Sequence, residues 1–225
     1  MEIGSSVVFT IPLFGGIPVT ETVVVEWIVM AVLIAVSAFV SISITKGWKL
    51  VPEGAQNVVE IVIEGFNSFV EGSLGEHWKD YAPYLGSVAA FLIVANTIGI
   101  FGFSPPTKDF SATSALAIMS IITVIVASMR VRGFKGQLKY FFRSPIYLFI
   151  NILDLFIRPL SLAARLFGNI LAATVIMELI SNVVPVILPA FFSLYFDIFD
   201  GLLQMFVFVF LTMLYIEEAI EDNEV

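Results

Sequence analysis

The sequence predicts an all-α integral membrane protein, with about five transmembrane helices plus one amphipathic helix, the last two spans long and strongly tilted. Three observations lead there. Hydrophobic residues make up 59% of the 225 and charged residues 13%, against roughly 45–50% and about 25% in soluble domains. Several uncharged runs approach the ~20 residues that a helix needs to cross the hydrocarbon. The two C-terminal runs exceed that length and are studded with charge, which fits tilted helices beside a polar cavity. A barrel would need short alternating segments, and these are absent. The chain has no cysteine, so disulfides, thiolate catalysis and cysteine metal sites are excluded. Without repeats, low-complexity tracts or a soluble region, residues 1–225 read as a single membrane domain.

The first span is expected over 23–45, with Trp27 as an interfacial anchor near its outer end and Lys46, Trp48 and Lys49 past its inner end. No basic residue precedes Lys46, so this run is expected to be retained as a span and not cleaved as a signal peptide. Residues 52–72 carry Glu53, Gln56, Glu60, Glu64, Asn67 and Glu71 at helical spacing against Val59, Ile63, Phe66 and Val70, the pattern of an amphipathic helix. Its polar face is acidic, which favours packing on neighbouring protein over docking on anionic lipid. His77 lies between spans and carries no inferred role.

A second span is expected over 83–103, within a charge-free run that contains Asn96, Gly99 and Gly102 and ends in the Ser-Pro-Pro-Thr turn at 104–107. A third is expected over 111–129. The loop after it holds Arg130, Arg132, Lys135, Lys139 and Arg143, whereas Lys108 stands on the opposite side; the positive-inside rule makes the loop cytoplasmic. The tilted spans are expected over 144–183 and 187–222, with Pro185 and Pro189 marking the turn between them. The net charge of −8 is concentrated partly in the terminal Glu-Asp-Asn-Glu at 221–224, which reads as a solvated tail.

Arg165 lies inside the fourth span. Burying arginine mid-bilayer costs at least ~2.5–3.5 kcal/mol on insertion scales, so it needs an anionic partner or a water-filled cavity. Its guanidinium stays protonated, so it can hold an anion and cannot relay a proton. At about 100° per residue, Asp154, Arg158, Ser161 and Asn169 fall within about 40° of Arg165. Thr174 and Glu178 point the other way. On the last span Asp197, Asp200 and Gln204 make a stripe of their own. Side-by-side packing would set Glu178 against Asp197, forming a polar seam separate from the Arg165 face. Blander roles stand beside these: Arg158 snorkelling or capping a helix, Ser161 packing between helices, Gly168 permitting close approach, and Asp197 and Asp200 neutralising Arg165 as an ion pair.

The run Pro-Leu-Ser-Leu-Ala-Ala-Arg-Leu-Phe-Gly-Asn at 159–169, with Gly-Leu-Leu-Gln-Met-Phe-Val-Phe at 201–208 and Ile-Pro-Val-Thr-Glu-Thr-Val-Val at 17–24, resembles subunit a of the membrane sector of bacterial F-type ATP synthases. The likeness covers nearly the whole chain. It implies that Arg165 is the essential stator arginine facing the rotating ring of c subunits, and that Asn169 and Gln204 match its polar neighbours. The chain departs from the family pattern at Thr174, where members often carry a carboxylate, with Glu178 one turn further on. It has Asp197 where the family uses His or Glu, and Asp200 as an additional acid.

The resemblance further implies a non-catalytic stator subunit with two offset half-channels that pass protons to and from the ring carboxylates, Arg165 separating the routes. Asn169, Gln204, Asp197, Asp200, Glu178, Thr174 and Ser161 are the candidate ion-pathway residues. Sodium is the alternative coupling ion, and a secondary transporter for an anionic substrate or a structural anchor are the alternative roles; the inverted repeats of such a transporter are absent. The implied partners are the c-subunit ring, the b subunits of the peripheral stalk, the lipid bilayer and the coupling ion. No cofactor, metal or nucleic acid is expected. The implied location is the inner (plasma) membrane, multi-pass, N-terminus outside and C-terminus cytoplasmic.

Overall fold

The computed structural model describes residues 7–11, 17–47, 54–141, 145–183 and 187–221. Trp48, Lys49, Glu53, Arg143, Pro185 and most of the acidic tail, singled out above, lie outside the described residues. Five helical runs are long and apolar enough to cross a membrane, so the chain is an all-α membrane protein. A two-stranded antiparallel hairpin precedes them, β1 (Val7–Ile11) pairing with β2 (Ile17–Thr20). The sequence reading gave no strand; a β-branched pair this short lacks the length for a confident period-2 pattern.

Helix α1 (Glu21–Gly47) is apolar all round and leaves Ile28, Val32, Ile34, Val36 and Phe39 exposed on the chain's surface, as suits a helix bathed in lipid. Only its first turns dock firmly: Thr22, Val25 and Val29 are buried, and Thr22 Oγ1 donates to Asp109 Oδ2 at 3.2 Å. Helix α2 (Ala55–Leu74) buries Val70 and Leu74 and half-buries Phe66 and Phe69 against α3 (Trp78–Thr97) and α7 (Gly201–Glu221). Glu64 and Glu71 stay exposed, and Glu60 is half-buried, accepting from Gln56 Nε2 at 2.8 Å. A 3₁₀ turn over Gly75–His77 leads into α3, and another over Ile98–Phe101 closes it, ended by Gly102 at φ 81°. That left-handed value suits a residue with no Cβ.

The next turn, Pro106–Lys108, hands the chain to α4 (Phe110–Phe141). Asp109 caps this helix, its Oδ1 accepting from the Ser111 amide at 3.0 Å and the Ser111 hydroxyl at 2.7 Å. Gly133, at φ 69° and ψ 157°, breaks α4 into a spanning arm and a shorter continuation, so helical structure extends beyond the expected 111–129. Helix α5 (Pro145–Val183) is one 39-residue element with Pro159 inside it.

The last run, expected as one helix over 187–222, is helical throughout its described residues 187–221 but not α-helical throughout. It is α6 (Ile187–Ser193), one stretch of π-helix over Leu194–Asp200, and then α7. The wider i→i+5 winding of the π segment rotates side chains away from α-helical positions. Aromatic rings crowd this segment, with Tyr195 stacked on Phe199 and edge-on to Phe196.

The core lies where α3, α4 and α7 meet. Small residues let the backbones approach: Ala82, Ala89 and Ala95 on α3, Ala117 and Ala127 on α4, and Ala163 on α5 are all buried. In lipid, such close packing and interhelical hydrogen bonds replace the hydrophobic drive available in water. Tyr84 Oη and Ser120 Oγ share a hydrogen bond of 3.0 Å between α3 and α4. Helix α5 leans mainly on α4 through Leu162, Ala163 and Leu166, and it touches α7 at few points.

Candidate functional site

An open cleft of about 300 Å³ lies between the end of α3, the middle of α5 and the π segment with the start of α7. Its walls include Asn96, Lys108, Thr174, Asp197, Asp200 and Gln204. Each has a distinct structural reason to be there.

Asn96 is buried, donating through Nδ2 to the Gly201 carbonyl at 3.2 Å and accepting from Thr107 Oγ1 at 2.9 Å. It ties α3 to the π–α7 junction. The close approach depends on Gly201, since a Cβ there would stand 3.0 Å from Asn96 Cβ. Asp197 lies over the 3₁₀ turn that ends α3, where a Cβ at Gly99 would be 2.8 Å from its Oδ1. Ser193 Oγ donates to Asp197 Oδ2 at 2.5 Å. Any larger residue at position 99 would have to displace the carboxylate.

Asp200 faces the other wall. Asn169 Nδ2 donates to both of its carboxylate oxygens, at 2.8 and 3.0 Å. Asp197 and Asp200 therefore fan toward opposite sides of the cleft. The α-helical spacing assumed from sequence puts them in one row with Gln204, and the π winding undoes that row. Gln204 is 5% exposed, and its Oε1 is buried without a hydrogen-bond partner among the described residues. An orphaned acceptor of this kind is uncommon and marks a place for a donor, cation or water.

Thr174 joins the wall, although its hydroxyl also bonds back to the Ile170 carbonyl at 2.8 Å. Glu178 does not join it. The cleft is lined from α5 by Ile170, Ala173, Thr174 and Met177, and Glu178 is exposed beyond that arc. The expected seam of Glu178 against Asp197 is therefore not formed. The two polar faces of α5 are not separate either, because Asn169, from the Arg165 stripe, bonds to an acid of the cleft.

Arg165 is exposed one turn from Asn169 and makes no ion pair or hydrogen bond among the described residues. Asp197 and Asp200, offered above as neutralising partners, are engaged by Ser193 and Asn169 instead. Ser161 is likewise exposed. Arg158 is not a free snorkelling cation: its Nη2 pairs with Asp154 Oδ2 at 3.2 Å and with Glu218 Oε1 at 2.9 Å, and its guanidinium lies 5.0 Å from the Tyr215 ring centre. Outside the spans, burial alone would raise the Asp109 pKa, but hydrogen bonds from Ser111 and Thr22 outweigh it and hold the carboxyl below its ordinary value.

Sequence reasoning gave no role to Asn96, Gly99, Lys108 or Glu218. Asn96 had a signal, as a polar residue in an otherwise apolar span. The contact of Gly99 with Asp197 and that of Glu218 with Arg158 depend on tertiary packing and leave none.

The chain is similar in sequence to known proteins along most of its length. The ATP synthase A chain family profile matches residues 23–217. The chain is 38% identical to "ATP synthase subunit a, sodium ion specific" of Propionigenium modestum over 93% of its own length and 77% of the relative's. It is 33% identical to "ATP synthase subunit a" of Moorella thermoacetica, covering 93% of this chain and 94% of that one. The corresponding protein of Gloeobacter violaceus is 33% identical over 91% of this chain and 85% of its own length. The chain belongs to the ATP synthase A chain family, the a subunits of F-type ATP synthases.

Proposed function

We propose that the acid-lined cleft is the outer half-channel of the stator, delivering a cation to the carboxylate of a passing c subunit at Arg165, and that a second route leaves beside Arg165 toward the cytoplasm. The observation that carries this is the Asn169–Asp200 hydrogen bond, which brings the cleft to within one helical turn of an exposed, unpaired arginine. An ion in the cleft meets oxygen acceptors on both walls, Asp197 and Asp200, with the unpartnered Gln204 Oε1 beside them. Arg165 supplies the opposite field. A fixed cation attracts an ionised carboxylate and favours its unloaded form, because low dielectric strengthens the attraction. It also repels a free cation from crossing straight through.

In this reading the subunit is non-catalytic, sits in the inner membrane with its N-terminus outside and C-terminus cytoplasmic, and works against the c ring with the b subunits holding it in place. Protons are the coupling ion. Sodium is the second reading, favoured by the sodium-specific relative at 38% identity.

This chain has no cysteine, so reagent effects beyond those on the unsubstituted complex report the introduced thiol. Thr174→Cys in reconstituted complex should react with a charged methanethiosulfonate reagent, and the reaction should block ATP-driven ion uptake. Glu178→Cys, outside the cleft, should not block transport. Equal inhibition at both positions, or none at Thr174→Cys, would count against this route.

A further inference from the structure

Arg165 is bracketed by two polar ties between α5 and the last helical run. Four residues beyond it, Asn169 holds Asp200 at 2.8 and 3.0 Å. Seven residues before it, Arg158 holds Glu218, near the end of α7, at 2.9 Å while also contacting Asp154 at 3.2 Å on its own helix. Tyr215, one turn before Glu218, lies under the same guanidinium at 5.0 Å, which adds a cation–π contact from the same helix. These ties matter because α5 and α7 touch directly at few points, each leaning on α4 instead.

Pro159 sits between the ties, immediately after Arg158. It lacks the N–H that would bond to the Leu155 carbonyl, and its ring crowds that turn, so the helical ladder is interrupted across residues 155–159, the turn that carries Arg158. The Asn169–Asp200 bond anchors the segment after the break. The Arg158 cluster, with Asp154 before the break and Glu218 on α7, anchors the interrupted turn itself.

We propose that Arg158 is a positioning residue for Arg165, holding the lower arm of α5 to Glu218 and Tyr215 of α7 so that the stator arginine keeps its distance from the ring as each c subunit passes. This rests on the assignment of Arg165 made above. Arg158 itself touches neither the ion nor the ring carboxylate. Its side chain is 22% exposed, while Glu218 is 58% and Asp154 44% exposed, so the cluster forms a partly wet rim. Charge attraction is shared there between two carboxylates, so a lysine would keep ion pairing but lose the planar contact with the Tyr215 ring.

The experiment measures ions moved per ATP hydrolysed, and passive leak, in liposomes containing the complete complex, with complex content determined separately. Arg158→Gln should lower the coupling ratio several-fold at normal complex content. Arg158→Lys, which keeps the charge and loses the planar contact with Tyr215, should restore it only in part. Glu218→Gln should reproduce the loss, and the double variant Arg158→Gln, Glu218→Gln should be no worse than either single one, as coupled partners require. If Arg158→Gln fails to assemble, Glu218→Gln, which removes the more exposed partner, provides the same reading. A wild-type ratio in Glu218→Gln or additive losses in the double variant would overturn the proposal. Arg165→Ala in the same vesicles separates the two levels: if it still pumps, the stator assignment fails, whereas loss of pumping there with normal coupling in Glu218→Gln rejects the tie alone.

Discussion

Asn169 donates its side-chain amide to both carboxylate oxygens of Asp200, at 2.8 and 3.0 Å, and so joins the helix that carries Arg165 to the π-helical segment that lines the cleft. A hydrogen bond to a charged group contributes about 1.5–3 kcal/mol. Asn169→Leu should loosen Asp200 from α5 and slow ATP-driven ion uptake without loss of complex from the membrane. Uptake at the wild-type rate would show that the bond is dispensable for transport.

Gly99 and Asp197 make a second relationship open to test. A Cβ at position 99 would come within 2.8 Å of Asp197 Oδ1, the far end of a side chain that lines the open cleft and must swing aside. Gly99→Ala should push the carboxylate off its present position and reduce transport, while Gly102→Ala, with open space around its Cβ but φ at 81°, should act through backbone strain on stability instead. Melting curves of the purified complex and uptake rates from the same preparations distinguish the two effects.

Neutralising Asp197 should slow ion access and leave assembly intact. Asp197→Asn keeps the shape and can still accept from Ser193, so the change isolates charge. Initial rates of uptake in reconstituted vesicles provide the check, and a normal rate counts against a channel role for this acid.

Asp109 sets an acid limit on the turn before α4. Its hydrogen bonds hold the folded pKa below the unfolded one. The stabilisation is therefore complete above the ordinary aspartate pKa of about 3.9 and is lost as pH falls through the depressed folded value. Asp109→Asn should flatten that part of the acid stability profile, measured as melting temperature against pH. An unchanged profile would show that the cap carries no pH-dependent stability.

Much of the scaffold was legible because membrane spans announce themselves by length and absence of charge. Arg165 was legible for the same reason, as a cation where cations are expensive. The cleft was only half legible. Asp197, Asp200 and Gln204 stood out as polar residues in an apolar run, but their directions depend on the π winding, which a period of 3.6 does not anticipate. Glu178 was placed in the seam by helical angle alone, and the arc of α5 that faces the cleft ends at Met177. The partner of Arg158 lies sixty residues away in sequence, and no local pattern encodes such a pairing.

The choice of coupling ion is open to a direct measurement. During ATP hydrolysis, proton coupling predicts acidification of vesicles and no sodium-22 accumulation. Sodium uptake that persists or rises with a protonophore would establish the second reading and make the cleft a path for a metal cation.

The central claim is that Arg165 separates two half-channels, and replacing it by alanine in the assembled, reconstituted complex tests it most directly. ATP-driven pumping and passive ion flux would be recorded in the same vesicles. The account predicts that Arg165→Ala abolishes pumping and opens a passive leak, and that Arg165→Lys, which keeps the charge and loses the planar fork, remains impaired. Coupled transport at the wild-type rate in Arg165→Ala would contradict it.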